Sequence, residues 1–134
     1  MTKIKILFVC KMNRDRSRTA EEIYQNHPQL EVKSAGIAWN AIQRVTPELL
    51  TWATVILCME ESHQRHIEIY FEKFIAGKVI DYLDIEANYA HLLPNPRIYM
   101  KEKVDAWLLD YFPGFLPLPL PPAPSPSFPK EGDW

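Results

Sequence analysis

The residues best equipped for chemistry lie in one stretch, ILFVCKMNRDRSRTAEE, from Ile6 to Glu22. Four apolar residues lead into Cys10, and Arg14, Arg16 and Arg18 crowd behind the thiol where a helix begins. A cysteine flanked by positive charge and by the free N–H groups of a helix start is held as a thiolate, the form that attacks electrophiles. The plain alternative is a small core cysteine with its arginines on a solvated face. From Cys10 to Ser17 the pattern is Cys-x5-Arg-Ser. A loop of that length can wrap so that the N–H groups of Lys11, Met12, Asn13, Arg14, Asp15 and Arg16 converge on one anion. The helix dipole adds about half a positive charge, and the arginine can fork two phosphate oxygens. A phosphate seated there lies against the cysteine sulfur.

The elements around this stretch decide between the two readings. KIKILFVC, Lys3 to Cys10, is β-branched and aromatic and becomes continuously apolar, as a central parallel strand does when both its faces are covered. A helix is predicted from Ser17, capped by Ser17 or Thr19, with Ala20, Ile23, Tyr24 and His27 on one face and a stop at Pro28. LEVKSAG, Leu30 to Gly36, reads as a strand. Thr46, Pro47 and Glu48 form a helix start, and TVILCM, Thr54 to Met59, is a further buried strand. A helix should follow with His63, Ile67, Tyr70, Phe71 and Phe74 on one face, then the strand of GKVIDYLDI. The last helix is MKEKVDAWLLDYF, with an apolar face that includes Val104, Trp107, Leu108 and Tyr111. Strands alternating with helices imply an α/β fold: three layers, with a four-stranded parallel sheet between helices on both faces. Ligands of such sheets bind beyond the carboxyl ends of the strands. Cys10 stands at that end of the first strand, so the site reading prevails.

Composition narrows the rest. The 134 residues carry 15 basic and 17 acidic side chains, a net charge of −2 and a pI near 6.1, which argues against a general nucleic-acid binder. With 47% hydrophobic and 24% charged residues the chain fits a globular domain. No apolar run approaches the ~18 residues of a membrane span, and the N-terminal run is too short for a signal peptide. Two cysteines make no disulfide framework. The expectation is a cytoplasmic protein with no membrane or nucleic-acid partner. Cys58 reads as a buried strand residue. His63 and His66 lack the companions that would complete a metal set, so neither a metal nor another cofactor is expected.

One domain is expected over residues 1–112, followed by a proline-rich tail over 113–134 that holds eight of the twelve prolines. Proline at this density forbids helix interiors and sheet ladders, which leaves an extended, polyproline-like segment. PxxP patterns at Pro119 to Pro122 and Pro121 to Pro124 can dock an aromatic groove. A tether or a packed strap is the simpler reading.

The chain resembles the low-molecular-weight protein tyrosine phosphatase family, and within it a bacterial branch of small tyrosine phosphatases. The resemblance rests on ILFVCKMNRDRSRTAE, VKSAG, LLTWATVILCMEESHQRHI, and VIDYLDI followed by Tyr89, and extends to about Phe112. It implies that Cys10 is the nucleophile, forming a phosphocysteine, and that Arg16 binds the phosphoryl group and its transition state. Asn13 would hold the loop in a strained shape, and Ser17 would donate a hydrogen bond to the thiolate. Three positions depart from the family pattern: Met12, where a small residue is usual; Arg18, where proline is usual; and Ala87, where the general-acid aspartate is expected. Asp15, beside Arg16, would repel phosphate if it faced the pocket, so its side chain is expected to point away. Asp84 and Glu86 are the nearest carboxylates that can replace the missing acid. Trp39 and Tyr89 are candidate walls for a flat aryl leaving group.

The expected function is a cysteine-dependent phosphomonoester hydrolase acting on phosphotyrosine protein or a small aryl phosphate, weakened by loss of the acid. Two other readings share the loop: a phosphoanion-binding module with impaired catalysis, and an arsenate reductase, which needs further thiols.

Overall fold

The computed structural model describes residues 2–92 and 94–123. Four strands, β1 (Ile4–Cys10), β2 (Leu30–Gly36), β3 (Val55–Cys58) and β4 (Val79–Tyr82), form one sheet in the order β2-β1-β3-β4. All three pairings are parallel, with Cys10 opposite Gly36 and Val9 opposite Cys58. Among the described residues five helices accompany them: α1 (Arg16–Tyr24), α2 (Pro47–Trp52), α3 (Glu61–Tyr70), α4 (Tyr89–Leu92) and α5 (Pro96–Tyr111). This is the α/β architecture expected from the alternating apolar runs.

The two-residue period of β1 divides the core. Ile6, Phe8 and Cys10 face a cluster built with Ala20, Ile23 and Tyr24 of α1 and Met100, Val104 and Leu108 of α5. Leu7 and Val9 face the other cluster, with Leu50 of α2, Ile56 and Cys58 of β3 and Ile67 of α3. Such alternation is what a strand covered on both faces produces. The chain leaves β1 toward β2 on one side and returns to β3 on the other. The carboxyl end of β1 is therefore the switch point of the sheet, and Cys10 stands on it.

Several boundaries differ from expectation. Helix α1 starts at Arg16 and ends at Tyr24, so His27 lies beyond it. Neither Ser17 nor Thr19 caps it, because the Ser17 hydroxyl meets the Cys10 sulfur and the Thr19 hydroxyl donates to Asp15 Oδ1. Helix α3 stops at Tyr70, where Phe71 leaves helical geometry, and Glu72–Phe74 make a separate 3-10 turn. Of its expected apolar face only His63 and Ile67 are buried within the helix, while Tyr70 is 70% exposed. Helix α5 begins at Pro96, capped by the Asn95 side chain, the same cap-then-proline start that Thr46 and Pro47 give α2.

The proline-rich segment packs against the domain over residues 113–123. Phe115 is 3% exposed and its ring stacks on His27 at 4.9 Å. Gln29 accepts from Leu116 N–H at 2.8 Å and donates to the Gly114 carbonyl at 3.0 Å, and Arg97 Nη1 donates to the Pro121 carbonyl at 3.1 Å. A chain that cannot pair in a ladder is thus tied down by side chains. The second PxxP pattern ends at Pro124, outside the described residues. Among those residues, no helix is long and apolar enough to cross a membrane.

Candidate active site

The loop 11–15 joins β1 directly to α1 and is fastened from behind. The carbonyls of Cys10, Lys11 and Met12 accept from the N–H groups of Ile37, Ala38 and Ile42 at 2.9–3.1 Å. In a trans peptide the carbonyl and the next N–H point oppositely. The N–H groups of Lys11, Met12 and Asn13 are therefore directed away from the 37–42 segment, and that of Asn13 reaches the Cys10 sulfur at 3.1 Å. Gly36 permits the close approach: a Cβ there would lie 2.6 Å from the Lys11 carbonyl oxygen and 2.9 Å from the Asn13 nitrogen.

Asn13 shapes the loop. Its φ of 56° is in the left-handed region that asparagine tolerates better than most residues. Its side-chain Nδ2 donates to Ser17 Oγ at 2.8 Å and to Ser34 Oγ at 2.9 Å. Ser34 in turn donates to Glu21 Oε1 at 2.5 Å. Ser17 Oγ accepts from Asn13 and lies 3.0 Å from the Cys10 sulfur, so it can donate its own proton to the sulfur when Cys10 is a thiolate. A backbone N–H and a hydroxyl thus meet on the Cys10 sulfur. Cys10 and Ser17 are buried, at 2% and 0% exposure.

Arg16, 6% exposed, lies at the opposite end of the loop. Its Nη1 donates to Glu60 Oε2 at 2.5 Å and to the Ile85 carbonyl at 2.8 Å. Both acceptors sit just beyond the carboxyl ends of neighbouring strands, β3 and β4. The exits are laced together by Leu83 N–H to the Cys58 carbonyl and Ile85 N–H to the Met59 carbonyl. Among the described residues both hydrogen bonds of Arg16 run from Nη1, so the Nε–Nη2 edge is the one that can fork an anion.

Glu60 is the residue that sequence reasoning missed. It also stands at the start of α3: His63 N–H donates to the Glu60 carbonyl at 3.1 Å, and His63 Nδ1 accepts from Glu60 N–H at 3.1 Å. With Nδ1 accepting, the His63 proton sits on Nε2, 3.6 Å from Glu60 Oε2. Burial first, and the Arg16 charge next, push the His63 pKa down to about 4. A neutral imidazole thus supports the carboxylate that anchors Arg16. The acid of MEESH stands one place after an apolar run, which was the available signal.

The other expected site residues separate. Asp15 is exposed, and its Oδ1 accepts from Thr19 Oγ1 at 3.2 Å and from Tyr89 OH at 3.3 Å, so the carboxylate is held at the start of α1. Tyr89 is only 3% exposed and belongs to the core cluster, which gives it no free ring face to serve as a wall. Trp39, by contrast, is 81% exposed and shares an open groove with Lys11. Asp84, Glu86 and Ala87 are exposed; Asp84 has a φ of 59°, and Glu86 directly follows the carbonyl that holds Arg16. Met12 is half-buried, and Lys11 and Arg14 are exposed. Cys58 is fully buried, and that burial raises its thiol pKa. Among the described residues no group of three or more His, Cys, Asp or Glu side chains could hold a metal ion.

Comparison with solved structures places this fold. YwlE arginine phosphatase from Geobacillus stearothermophilus is 22% identical over 81% of this chain and 92% of its own, with a TM-score of 0.66. SP-PTP, the low molecular weight protein tyrosine phosphatase from Streptococcus pyogenes, gives the same TM-score at 13% identity, over 80% of this chain and 92% of its own. The fold is that of the low-molecular-weight protein tyrosine phosphatases. The tyrosine phosphatase Wzb from Escherichia coli K30, solved in complex with phosphate, matches at a TM-score of 0.61 and 16% identity, over 81% of this chain and 99% of its own. No family model matches the chain, and no curated protein does. Within the phosphatase fold, the Cys10–Arg16 loop occupies the sheet's switch point, where the architecture seats a ligand.

Proposed function

We propose that this protein is a cysteine-dependent phosphomonoester hydrolase, acting on phosphotyrosine or another aryl phosphate through a phosphocysteine. The observation that carries the proposal is the pair of hydrogen bonds on the Cys10 sulfur, from Ser17 Oγ at 3.0 Å and Asn13 N–H at 3.1 Å, in a loop whose far end holds an anchored arginine. Solved neighbours described as tyrosine and arginine phosphatases support phosphoryl chemistry.

In the proposed reaction the Cys10 thiolate attacks phosphorus in line, forming the S–P bond as the P–O bond to the leaving group breaks. Arg16 and the N–H groups of residues 11–16 hold the phosphoryl oxygens as charge spreads over them. The leaving phenolate takes a proton from a carboxylic acid. Asp84 and Glu86, which flank the Ile85 that holds Arg16, are the two candidates, and we assign the step to Glu86 for testing. Water then attacks the phosphocysteine, gives its proton to the same carboxylate, and releases phosphate and the thiolate.

A second reading, a phosphoanion-binding module, draws on Ala87, which offers no proton where the family pattern has its acid. An arsenate reductase is disfavoured by the burial of Cys58, the only other thiol. Hydrolysis of p-nitrophenyl phosphate, phosphotyrosine and phosphoarginine by the wild-type protein and Cys10→Ser decides among these. Turnover that vanishes in Cys10→Ser supports the hydrolase. Phosphate binding without turnover supports the module.

A further inference from the structure

Beside the nucleophile runs an open groove of about 550 Å³ between the 37–44 segment and α3. Lys11, the residue after Cys10, is at one side; Trp39 and Arg44 come from the segment, and His66, Tyr70 and Phe71 from α3 and its end. The groove combines two features that a solvated surface does not need together. Its aromatic residues are displayed: Trp39 is 81% exposed and Tyr70 is 70% exposed, with the His66 ring 4.7 Å from that of Tyr70. Its charge is of one sign, since Lys11 and Arg44 are cations and no carboxylate is among the described lining. Around α3, Glu60 is engaged on Arg16 and Glu61 on Arg65 at 2.6 Å, while Glu68 and Glu72 are not among the groove's lining.

The backbone that carries each cation is held in position relative to the loop. Arg44 bridges to Gly36, whose N–H donates to the Gln43 carbonyl at 2.8 Å and whose carbonyl accepts from Val45 N–H at 2.9 Å. Gly36 itself backs the Cys10 loop. Lys11 is fixed at its carbonyl by Ala38 N–H, and its ammonium is close enough to α3 to help lower the His63 pKa. Burial lowers the His66 pKa too, so its ring favours the neutral form and the positive field belongs to Lys11 and Arg44.

We propose that this groove receives the chain flanking the phosphorylated residue of a peptide substrate and selects a flank that carries carboxylates. The cations pair with the acidic groups while the aromatic faces cover the aliphatic stems between them. The inference rests on the reading that a phosphoryl group sits against Cys10, since only then does a bound peptide leave the site alongside Lys11.

The test uses the full chain and phosphotyrosyl peptides flanked by Glu, Gln or Lys, with binding to Cys10→Ser followed by fluorescence anisotropy. The Glu-flanked peptide should bind at least roughly tenfold tighter than the Lys-flanked one, with a preference that weakens as salt is raised. Arg44→Glu on the same background should abolish or reverse the order, with Arg44→Gln intermediate. In the otherwise wild-type enzyme, Arg44→Glu should leave hydrolysis of p-nitrophenyl phosphate, which has no flank, unchanged within about twofold. Equal binding of the three peptides, or an unaltered preference in Arg44→Glu, overturns the groove. Absence of p-nitrophenyl phosphate hydrolysis with the peptide preference intact overturns turnover alone and leaves the groove standing on a binding protein.

Discussion

Arg16 Nη1 lies 2.5 Å from Glu60 Oε2, across 44 residues of sequence, and the two side chains are 7% and 36% exposed. The pair does more than neutralise charge. By occupying Nη1 together with the Ile85 carbonyl, Glu60 fixes the plane of the guanidinium and so the direction of its remaining edge. Glu60→Ala should therefore lower phosphate affinity and cut kcat/KM for p-nitrophenyl phosphate by roughly 10- to 100-fold, through loss of orientation. Glu60→Gln keeps one acceptor oxygen and should recover part of both. Phosphate titration and steady-state kinetics on the two variants check this, and wild-type values for Glu60→Ala would remove Glu60 from the site.

His63 predicts a pH dependence of stability. Its folded pKa, about 4, is below the ordinary 6.5, so between these values the unfolded chain binds more protons than the folded one. Stability contributed by the neutral ring is complete above about pH 6.5 and is lost as the pH falls toward 4. The whole effect is at most about 3 kcal/mol. Urea unfolding at pH 7.5 and 4.5 should show the loss, and His63→Asn should show a smaller one. Identical pH slopes for the two proteins would assign the acid sensitivity to other groups.

Gly36→Ala should damage the loop. The added methyl would stand 2.6 Å from the Lys11 carbonyl oxygen and 2.7 Å from the Ala41 Cβ, contacts that force one of the two segments to move. A cost of about 1–3 kcal/mol is expected, with turnover lost out of proportion to stability because the displaced atoms carry the anion-binding N–H groups. Chemical denaturation paired with p-nitrophenyl phosphate kinetics on one preparation separates the two effects.

The proton donor can be found by comparing leaving groups. p-Nitrophenol needs little protonation, whereas the phenol of phosphotyrosine is about three pKa units more basic. Glu86→Gln should slow phosphotyrosine cleavage by at least roughly 10²-fold and spare the activated ester. If Asp84→Asn produces that pattern instead, the assignment moves two residues back. Ala87→Asp should speed phosphotyrosine selectively.

Phe115→Ala should destabilise the domain by about 3–5 kcal/mol, although it lies in the proline-rich segment. The ring is buried against His27 and the α1/α5 cluster, so its loss leaves a cavity in the core. An unfolding midpoint equal to wild type would mean that the segment is held by its hydrogen bonds to His27, Gln29 and Arg97 rather than by the ring.

Local spacing alone determined the placing of the Cys-x5-Arg loop between a strand and a helix. Covalent geometry ties Cys10 to Arg16 through six peptides, and the apolar run before Cys10 specifies a buried strand without help from distant residues. The parallel sheet was legible for the same reason, because strands covered on both faces leave continuous apolar runs. Tertiary structure decided what surrounds the loop. Glu60 on Arg16, Ser34 on Asn13 and Tyr89 on Asp15 are meetings of residues brought together by strand register and helix packing. No local pattern encodes them. Trp39 and Tyr89 were equal candidates for a wall in the sequence. Only folding separated them, because burial depends on which elements pack above a residue, and α4 turned Tyr89 into the core while Trp39 stayed beside the groove.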